Sequence, residues 1–289
     1  VAKDLHVRAG VRWDYVSEFM RRDDVAPALG VDSHFGRSGN FPMPSAKAGI
    51  DYMVIDHTMA YANIGFAYKP GGYSAFTNTP SNAGFKNEKT LFAELGAKSV
   101  LWEGRVHANA SVFYYDIRDY QLERSIPNSL DYIVLNAERA SSIGAEADVR
   151  VSVLPQLDVF GGIGATRTVL DKYDDPFTGA DLDGTIAPYV PRYTGTIGVA
   201  AAKLPAGLFA HVEWVATGVT HYSDLDFAVH TDNYAILNGG FGVAGDNFRI
   251  SAFATNLNNR FYYSTLQPSI GAGAVAIPRQ LGVSAEVRF

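Results

Sequence analysis

The chain has 289 residues, of which 47% are hydrophobic, with no cysteine and a formal net charge of −6 at pH 7. The lack of cysteine excludes a disulfide framework and a thiolate metal site, and the negative charge argues against nucleic acid as a partner. No apolar run approaches the length of about 18 residues that a transmembrane helix needs, but a membrane strand needs no such run, because its alternating residues average to neutral hydropathy.

The first predicted strand alternates between two kinds of side chain. One face would carry Leu5, Val7, Ala9, Val11, Trp13 and Tyr15, and the other His6, Arg8, Gly10, Arg12 and Asp14. Successive side chains of a strand point to opposite faces. Charged groups in the middle of a strand are costly against a dry core and cheap against water. The pattern therefore favours a membrane barrel with its apolar face to lipid and its polar face to a wet lumen.

The same alternation predicts eleven further strands along the chain. They lie at 46–54, 60–69, 91–98, 106–114, 145–153, 157–166, 194–201, 208–217, 234–243, 248–255 and 281–289. The last strand ends on Phe289 with the parity of the apolar residues, in the way that outer-membrane barrels end.

The predicted connections fall into two sets that alternate strictly. Short turns are expected at 55–57, 102–105, 154–156, 204–207 and 244–247, and long polar segments at 17–44, 70–89, 123–131, 170–192, 221–232 and 266–280. Short periplasmic turns and long outer loops are typical of outer-membrane barrels. The predicted fold class is therefore all-β, a transmembrane antiparallel β-barrel with about twelve strands present.

Six segments resemble, in order, motifs of TonB-dependent outer-membrane receptors. They are residues 61–73 (YANIGFAYKPGGY), 88–98 followed by 112–121, 144–148 (GAEAD), 188–193 (PYVPRY), 256–262 (NLNNRFY), and Pro278-Arg279 before the last strand. Together they cover nearly the whole chain. The chain resembles the C-terminal part of the β-barrel of a siderophore-receptor-like member of this family.

The resemblance implies a barrel of about 22 strands with a plugged lumen, of which residues 1–289 would supply the last twelve. The family's plug domain and TonB box have no counterpart in these residues, so we expect the chain to be a fragment or a split-gene product. The implied function is TonB-dependent active transport of a scarce nutrient, most often a ferric siderophore or similar iron chelate, in the outer membrane of a Gram-negative bacterium. The implied partners are outer-membrane lipid, lipopolysaccharide, the plug domain, the remaining strands, the TonB complex and a ferric chelate. Neither an enzyme activity nor a cofactor is expected.

Two sets of residues are candidates for function. The plug-facing lumen wall would be formed by Arg8, Arg12, Asp14, Lys47, Asp51, Glu94, Lys98, Glu146, Asp148 and Arg150. Substrate binding at the outer rim would involve Lys69, Tyr73, Tyr115, Arg118, Arg124, His221 and Tyr222. None of the seven histidines has the spacing of a local metal-ligand pair, so no metal site is predicted.

Three alternatives remain open from the residues alone. The chain could be a stand-alone twelve-stranded passive pore or structural barrel, or a soluble all-β binding module, against which the charged mid-strand residues count. An outer-membrane phospholipase is disfavoured because Ser111 and His107, four residues apart on one strand, are separated by roughly 13 Å at strand rise.

Overall fold

The structure is a computed structural model that describes residues 5–126, 129, 131–223, 226, 228–267 and 271–288. The predicted terminal Phe289 lies outside the described residues. The strands are β1 (Leu5–Ala26), β2 (Val31–Ile55), β3 (Thr58–Lys69), β4 (Gly72–Tyr73), β5 (Gly84–Phe85), β6 (Glu88–Leu101), β7 (Val106–Ser125), β8 (Tyr132–Leu154), β9 (Leu157–Lys172), β10 (Thr185–Ile186), β11 (Tyr193–Ala201), β12 (Leu208–Thr217), β13 (Thr220–His221), β14 (His230–Thr231), β15 (Tyr234–Ala244), β16 (Phe248–Thr255), β17 (Tyr263–Gln267), β18 (Ala272–Val275) and β19 (Gln280–Val287). Short 3-10 helices occupy Pro27–Leu29, Pro80–Asn82 and Pro205–Gly207. In the described ranges, no helix has the length and apolar character needed to cross a membrane.

One antiparallel sheet organises the described part of the chain. Its order is β1-β2-β3-β6-β7-β8-β9-β11-β12-β15-β16-β19, and β10 adds a short ladder to β9. The pairs β4–β5, β13–β14 and β17–β18 form separate ladders within the long connections. The twelve strands of this order correspond to the twelve predicted strands, so the predicted fold class is confirmed.

The register places the alternating residues on two consistent faces, which we call the apolar face and the polar face. Val7 lies opposite Ile50, and Ile50 lies opposite Ala62, which continues the apolar face from strand to strand. Val7 is 66% exposed and Trp13 is 68% exposed, so the apolar face is not sealed inside the molecule. Such a face needs an apolar medium, which lipid provides.

The hairpin formed by β1 and β2 extends much further than predicted. Residues 17–44 were expected to form a loop, but they continue the ladder, with Ser17 opposite Asn40 and Ala26 opposite Val31. The prediction was wrong because it relied on apolar–polar alternation. Alternation marks a strand between lipid and lumen, whereas an extension with water on both sides can be polar on both faces. The same reason explains why β8 begins at Tyr132, well before the predicted strand.

The main buried core lies at the end of the sheet that carries the long connections, here called the long-loop end. It contains Ile117, Leu122, Ala137, Ala140, Leu170, Tyr173, Leu182 and Ala187. Ile117 and Leu122 are an odd number of residues apart, so regular alternation would place them on opposite faces, yet both belong to this core. Between them, Asp119 has a φ of 54° and interrupts the alternation. The segment 173–187 therefore folds back onto β7, β8 and β9 instead of projecting freely.

Candidate functional site: the polar face and the long-loop end

All ten predicted wall residues lie on the polar face by strand alternation and register. For example, Arg8 lies opposite Gly49, Glu94 opposite Asn63, and Asp148 opposite Asn109. The ten charged side chains lie on β1, β2, β6 and β8, and polar residues such as Asn63 of β3 and Asn109 of β7 lie between them on the same face.

Much of this charge is paired within the wall. Asp51 is only 5% exposed, and its carboxylate contacts the Arg8 guanidinium and lies 2.9 Å from His6 Nδ1. Arg12 Nη2 lies 2.6 Å from Asp14 Oδ1. These contacts keep several charges of the first hairpin in fixed positions.

The middle of the wall is held by mixed polar and aromatic contacts. Tyr61 Oη donates to Glu94 Oε1 at 2.5 Å, and Lys98 Nζ lies 5.8 Å from the centre of the Tyr61 ring. Asn109 Nδ2 donates to Asp148 Oδ2 at 2.8 Å. In contrast, neither Lys47 nor Glu146 forms an ion pair with any described residue. Among the wall residues, which all lie in the described ranges, Lys47 and Glu146 are the two with no ion pair, side-chain hydrogen bond or cation–π contact.

Arg150 lies near the end of β8 that leads into the short turn before β9, and it is also paired. Its Nη1 donates to Asp158 Oδ2 at 3.1 Å, and Ser152 Oγ donates to the other carboxylate oxygen at 2.7 Å. The Arg150 guanidinium also lies over the Phe160 ring at 5.3 Å.

Aromatic rings on the polar face lie over glycines of the neighbouring strand. Phe113 is directly opposite Gly144, and a Cβ at Gly144 would lie 2.3 Å from Phe113 Cζ and 2.7 Å from the carbonyl oxygen of Ala165. Tyr61 and Gly96 form a second such pair. Only glycine leaves room for the ring to lie flat against the sheet, so these pairs set how the aromatic groups of the wall are oriented.

Tyr115 lies within an aromatic group of this wall. Its ring centre is 5.3 Å from that of Phe113 and 6.3 Å from that of Phe92. Tyr115 is one of the seven predicted binding residues, and its half-buried side chain faces the same side as the wall charges. Tyr114, on the apolar face, is 44% exposed.

Arg118, another predicted binding residue, lies on the other face. It is opposite Lys89 and Arg139, and Arg139 is opposite Lys172, so four cations form a row across β6, β7, β8 and β9. The charges are largely balanced: the Asp116 carboxylate lies 2.7 Å from Arg139 and 3.8 Å from Arg118. This row sits above the stretch in which apolar residues dominate the same face.

Arg124 is buried at the long-loop end. Its Nη1 lies 2.8 Å from Asp175 Oδ1, with side chains 4% and 0% exposed, and it also donates to Tyr173 Oη at 2.9 Å. Asp175 further accepts hydrogen bonds from the Thr178 hydroxyl and the Phe177 amide. Burial raises the pKa of Asp175, but the hydrogen bonds from Thr178 and Phe177 and the Arg124 charge outweigh burial and hold that pKa below its usual range. Nearby, burial and the Glu88 charge raise the pKa of Tyr120 to about 12.

Lys69 and Tyr73 lie at the start of the connection between β3 and β6. Lys69 is exposed and opposite Glu88, whereas Tyr73 is half-buried and packs edge-on against Phe41 with ring centres 6.2 Å apart.

His221 and Tyr222 lie together in the connection after β12. The Tyr189 amide donates to the carbonyl of His221 at 2.7 Å, and the rings of Tyr189 and Tyr222 are 5.5 Å apart. Both predicted residues are buried, at 4% and 8% exposure. The seven predicted binding residues thus occupy several neighbourhoods of the long-loop end rather than one pocket. In the part of the chain that the structure describes, no group of three or more potential metal ligands occurs.

The connection 70–87 forms hydrogen bonds to both the β1–β2 hairpin and the β7–β8 hairpin, and the sequence did not indicate these contacts. The side-chain oxygen of Asn78 accepts a hydrogen bond from Arg22 Nε at 3.0 Å, and its backbone carbonyl accepts one from Ser33 Oγ at 2.9 Å. On its other side, the Asn78 amide donates to Asp131 Oδ1 at 3.0 Å, and the buried Thr77 hydroxyl donates to the same carboxylate. The turn-forming composition of this segment predicts a loop but not its partners. The long-loop end is therefore a set of connections bonded to one another.

This architecture is similar to that of known proteins. A family model described as TonB dependent receptor-like, beta-barrel, matches residues 1–257. The structure of the ferric yersiniabactin uptake receptor FyuA from Yersinia pestis is similar, with a TM-score of 0.80 and 21% identity over 100% of this chain and 44% of that chain. The siderophore receptor PiuA from Acinetobacter baumannii has a TM-score of 0.75 and 16% identity over 98% and 40%. The copper transporter OprC has a TM-score of 0.75 and 14% identity over 100% and 46%. The chain spans less than half of each of these proteins, and at these identities the likeness shows the fold.

Proposed function

The chain belongs to the TonB dependent receptor-like β-barrel family, and from this membership we propose that it supplies barrel wall and outer rim for the import of a ferric siderophore or similar iron chelate. The protein is located in the outer membrane of a Gram-negative bacterium. The matched family and structures are transport receptors and not enzymes.

The open edges of the sheet support the proposal that the chain is part of a larger barrel. In the described residues, β1 pairs only with β2, and β19 pairs only with β16. Unpaired backbone groups cannot remain exposed to lipid, since each costs several kcal/mol. Both β1 and β19 therefore need a further strand to pair with. This favours the last twelve strands of a 22-stranded barrel, in which the other ten strands would lie between β1 and β19 and close the barrel. A stand-alone twelve-stranded pore would require β1 to pair with β19.

The polar face supports a plug as the partner inside the barrel. An empty lumen would be filled with water, and the charges would then need no particular arrangement. Instead, most of the ten wall residues are held by ion pairs or hydrogen bonds, while Lys47 and Glu146 stay unpaired in the described wall. We expect the plug domain to contact these two charges. Energy would reach the plug from the TonB complex through a part of the protein outside residues 1–289.

The ligand would bind where the polar face meets the long-loop end. Tyr115 and its aromatic neighbours offer an apolar surface of tilted rings, and Lys69 offers exposed positive charge that attracts an anionic chelate. Arg124, His221 and Tyr222 remain candidates but would need to become accessible, whereas Arg118 lies on the other face of the sheet and is not expected to contact this ligand. FyuA and PiuA are described as receptors for ferric yersiniabactin and for siderophores, which supports iron chelates as the ligand class.

Lipid and lipopolysaccharide are the proposed partners of the apolar face. Exposed apolar side chains such as Val11 at 89% and Val149 at 42% would contact acyl chains. The row of cations with Arg118 and Arg139 would lie at or above the headgroups.

Growth under iron limitation tests the transport proposal. Cells lacking the gene should regain growth on a cognate ferric siderophore when given the whole receptor, and should lose this rescue when tonB is deleted. Cells given only residues 1–289 should show no rescue, because the plug and ten strands are missing. TonB-dependent uptake by residues 1–289 alone would contradict the half-barrel proposal. A stable small conductance of residues 1–289 in planar bilayers would favour the twelve-stranded pore.

A further inference from the structure

Two histidines face each other on the short hairpin formed by β13 and β14. His221 lies directly opposite His230 in the antiparallel ladder, although the two are nine positions apart in the sequence. Their ring centres are 5.4 Å apart, with an angle of 52° between the ring planes. The spacing rules for ligands on one strand or one helix do not detect such a pair, because the hairpin creates it.

The backbone of the hairpin brings these two side chains close together. The Tyr222 amide donates to the carbonyl of Val229 at 2.9 Å, so these two residues form a hydrogen-bonded pair. In an antiparallel ladder such pairs alternate with non-hydrogen-bonded pairs, in which the opposite side chains lie closer. His221 and His230 come directly next in the ladder and therefore form a pair of the closer kind.

The hairpin is fastened to its neighbours on the side of His221. The Tyr189 amide donates to the carbonyl of His221 at 2.7 Å, and Tyr222 Oη donates to the carbonyl of Ser264 at 3.3 Å. His221 is 4% exposed, whereas the side chain of His230 is 37% exposed. One ring is thus held in place and the other can be reached by ions from solution. A ligating group that is fixed before binding loses little freedom when it binds.

The separation of the rings suits a tetrahedral metal ion. A histidine nitrogen binds zinc at about 2.0–2.1 Å, which places each ring centre about 3.2 Å from the ion. At the tetrahedral angle, two such ring centres are about 5.2 Å apart, close to the 5.4 Å between His221 and His230. Neighbouring ligands of square-planar copper(II) lie at a right angle, which would require about 4.5 Å. The geometry therefore favours zinc over copper(II).

The surroundings of the pair also suit a cation. Asp232 Oδ1 lies 3.8 Å from His230 Nε2, and the Asp232 side chain is 90% exposed. A carboxylate beside a ligating histidine orients the ring and makes the histidine a stronger base. The described residues contain no group of three potential ligands, so water would occupy the remaining positions around the ion.

We propose that His221 and His230 together bind one zinc ion at the long-loop end. Imidazole is a favourable ligand for zinc, and two protein ligands with water make an exchangeable site, in contrast to the closed four-ligand sites that are structural. The ion would cross-link β13 to β14 in the connection between β12 and β15. This inference concerns a free divalent cation and goes beyond the import of a ferric chelate, on which it does not depend.

Calorimetric titration of the purified whole receptor with zinc chloride, after treatment with a chelator, tests the site. We expect His230→Gln to lose one zinc ion per receptor or to bind it at least tenfold more weakly than the parent. His34→Gln is the matched control, because His34 is also an exposed histidine of a hairpin at the long-loop end. In the described residues, His34 contacts the carboxylates of Asp23 and Asp32 instead of a second histidine. The control should bind zinc like the parent.

X-ray absorption of the parent, loaded with one equivalent of zinc, does not depend on how a variant folds. The spectrum should show two imidazole nitrogens at about 2.0–2.1 Å from the ion. A spectrum with oxygen ligands alone would overturn the proposal, and so would parent-like zinc binding by a folded His230→Gln or an equal loss in His34→Gln. Absence of siderophore uptake by a parent receptor that binds zinc as expected would count against the transport proposal alone.

Discussion

Arg124 and Asp175 form an ion pair of 2.8 Å between strand β7 and the connection that follows β9, and both side chains are almost completely buried. The pair joins residues 51 positions apart and fastens the segment 173–187 to the long-loop end. Tyr173 is buried beside the pair, and the Arg124 guanidinium lies 5.9 Å from the Phe177 ring centre. A connection that sequence composition marks as a loop is therefore a fixed part of the rim.

Replacing Arg124 with Met should release this segment. The substitution leaves the Asp175 carboxylate buried without its counter-charge, and breaking a buried pair in this way costs about 3–5 kcal/mol. Hydrogen exchange of the amides in 173–187 should accelerate correspondingly. Arg139→Met is the control, because Arg139 is 46% exposed in its pair with Asp116 and ion pairs that water reaches contribute about 0–1 kcal/mol. Equal acceleration in the two variants would contradict the role given to burial.

The same segment should be sensitive to acid. The pKa of Asp175 is lower in the folded state than in an unfolded chain, so its carboxylate stabilises the docked segment above the unfolded value of about 3.9. That stabilisation should be lost as pH falls below this value through the lower folded pKa. Hydrogen exchange of 173–187 followed from pH 6 to pH 2, with a correction for the intrinsic exchange rate, should show this release. In Asp175→Asn the acid-dependent change should disappear.

Gly144 should not tolerate a methyl group. Alanine would bring its Cβ to 2.3 Å from Phe113 Cζ and to 2.7 Å from a backbone oxygen, and overpacking of this kind costs about 1–3 kcal/mol. Gly162→Ala on the same face is the control, since its nearest atoms would lie at 3.5 Å, an ordinary contact. Urea titration followed by the heat-modifiable gel shift should separate the two variants. Phe113→Leu should rescue Gly144→Ala only partly, because the backbone oxygen remains in place.

Adjacent tyrosines on opposite faces test the proposed ligand surface. Tyr115→Ala should weaken binding of the cognate ferric siderophore about tenfold, in line with the loss of one buried aromatic contact. Tyr114→Ala should leave the affinity unchanged, because Tyr114 lies on the apolar face. Binding to the purified whole receptor can be followed by quenching of its intrinsic fluorescence. A weaker affinity in the Tyr114 variant alone would place the ligand on the wrong side of the sheet.

Sequence patterns predicted the fold well wherever one face of a strand meets lipid and the other meets water. There, the polarity of each residue depends on the medium that it faces, and the ten charged wall residues all share one face of the sheet, as alternation predicts. The patterns failed beyond the membrane level. The ladder from Ser17 to Ala26 shows no apolar–polar alternation, because water surrounds both of its faces. Loop composition does not link Asp175 to Arg124, because it carries no information about distant partners. Arg118 is close to Tyr115 along the strand, but an odd separation of three residues places the two side chains on opposite faces, so its predicted place beside Tyr115 is wrong.

The orientation of the sheet relative to lipid and water is the claim on which the whole account depends. The sequence has no cysteine, so single cysteines can be placed along 145–153 of β8 in the whole receptor and spin-labelled for collision measurements in liposomes. Labels at Ala145, Ala147, Val149, Val151 and Val153 should collide with oxygen in the lipid, and labels at Glu146, Asp148, Arg150 and Ser152 should be shielded from lipid. An alternation of period two with this phase is the predicted result. The opposite phase, or no alternation, would contradict the account.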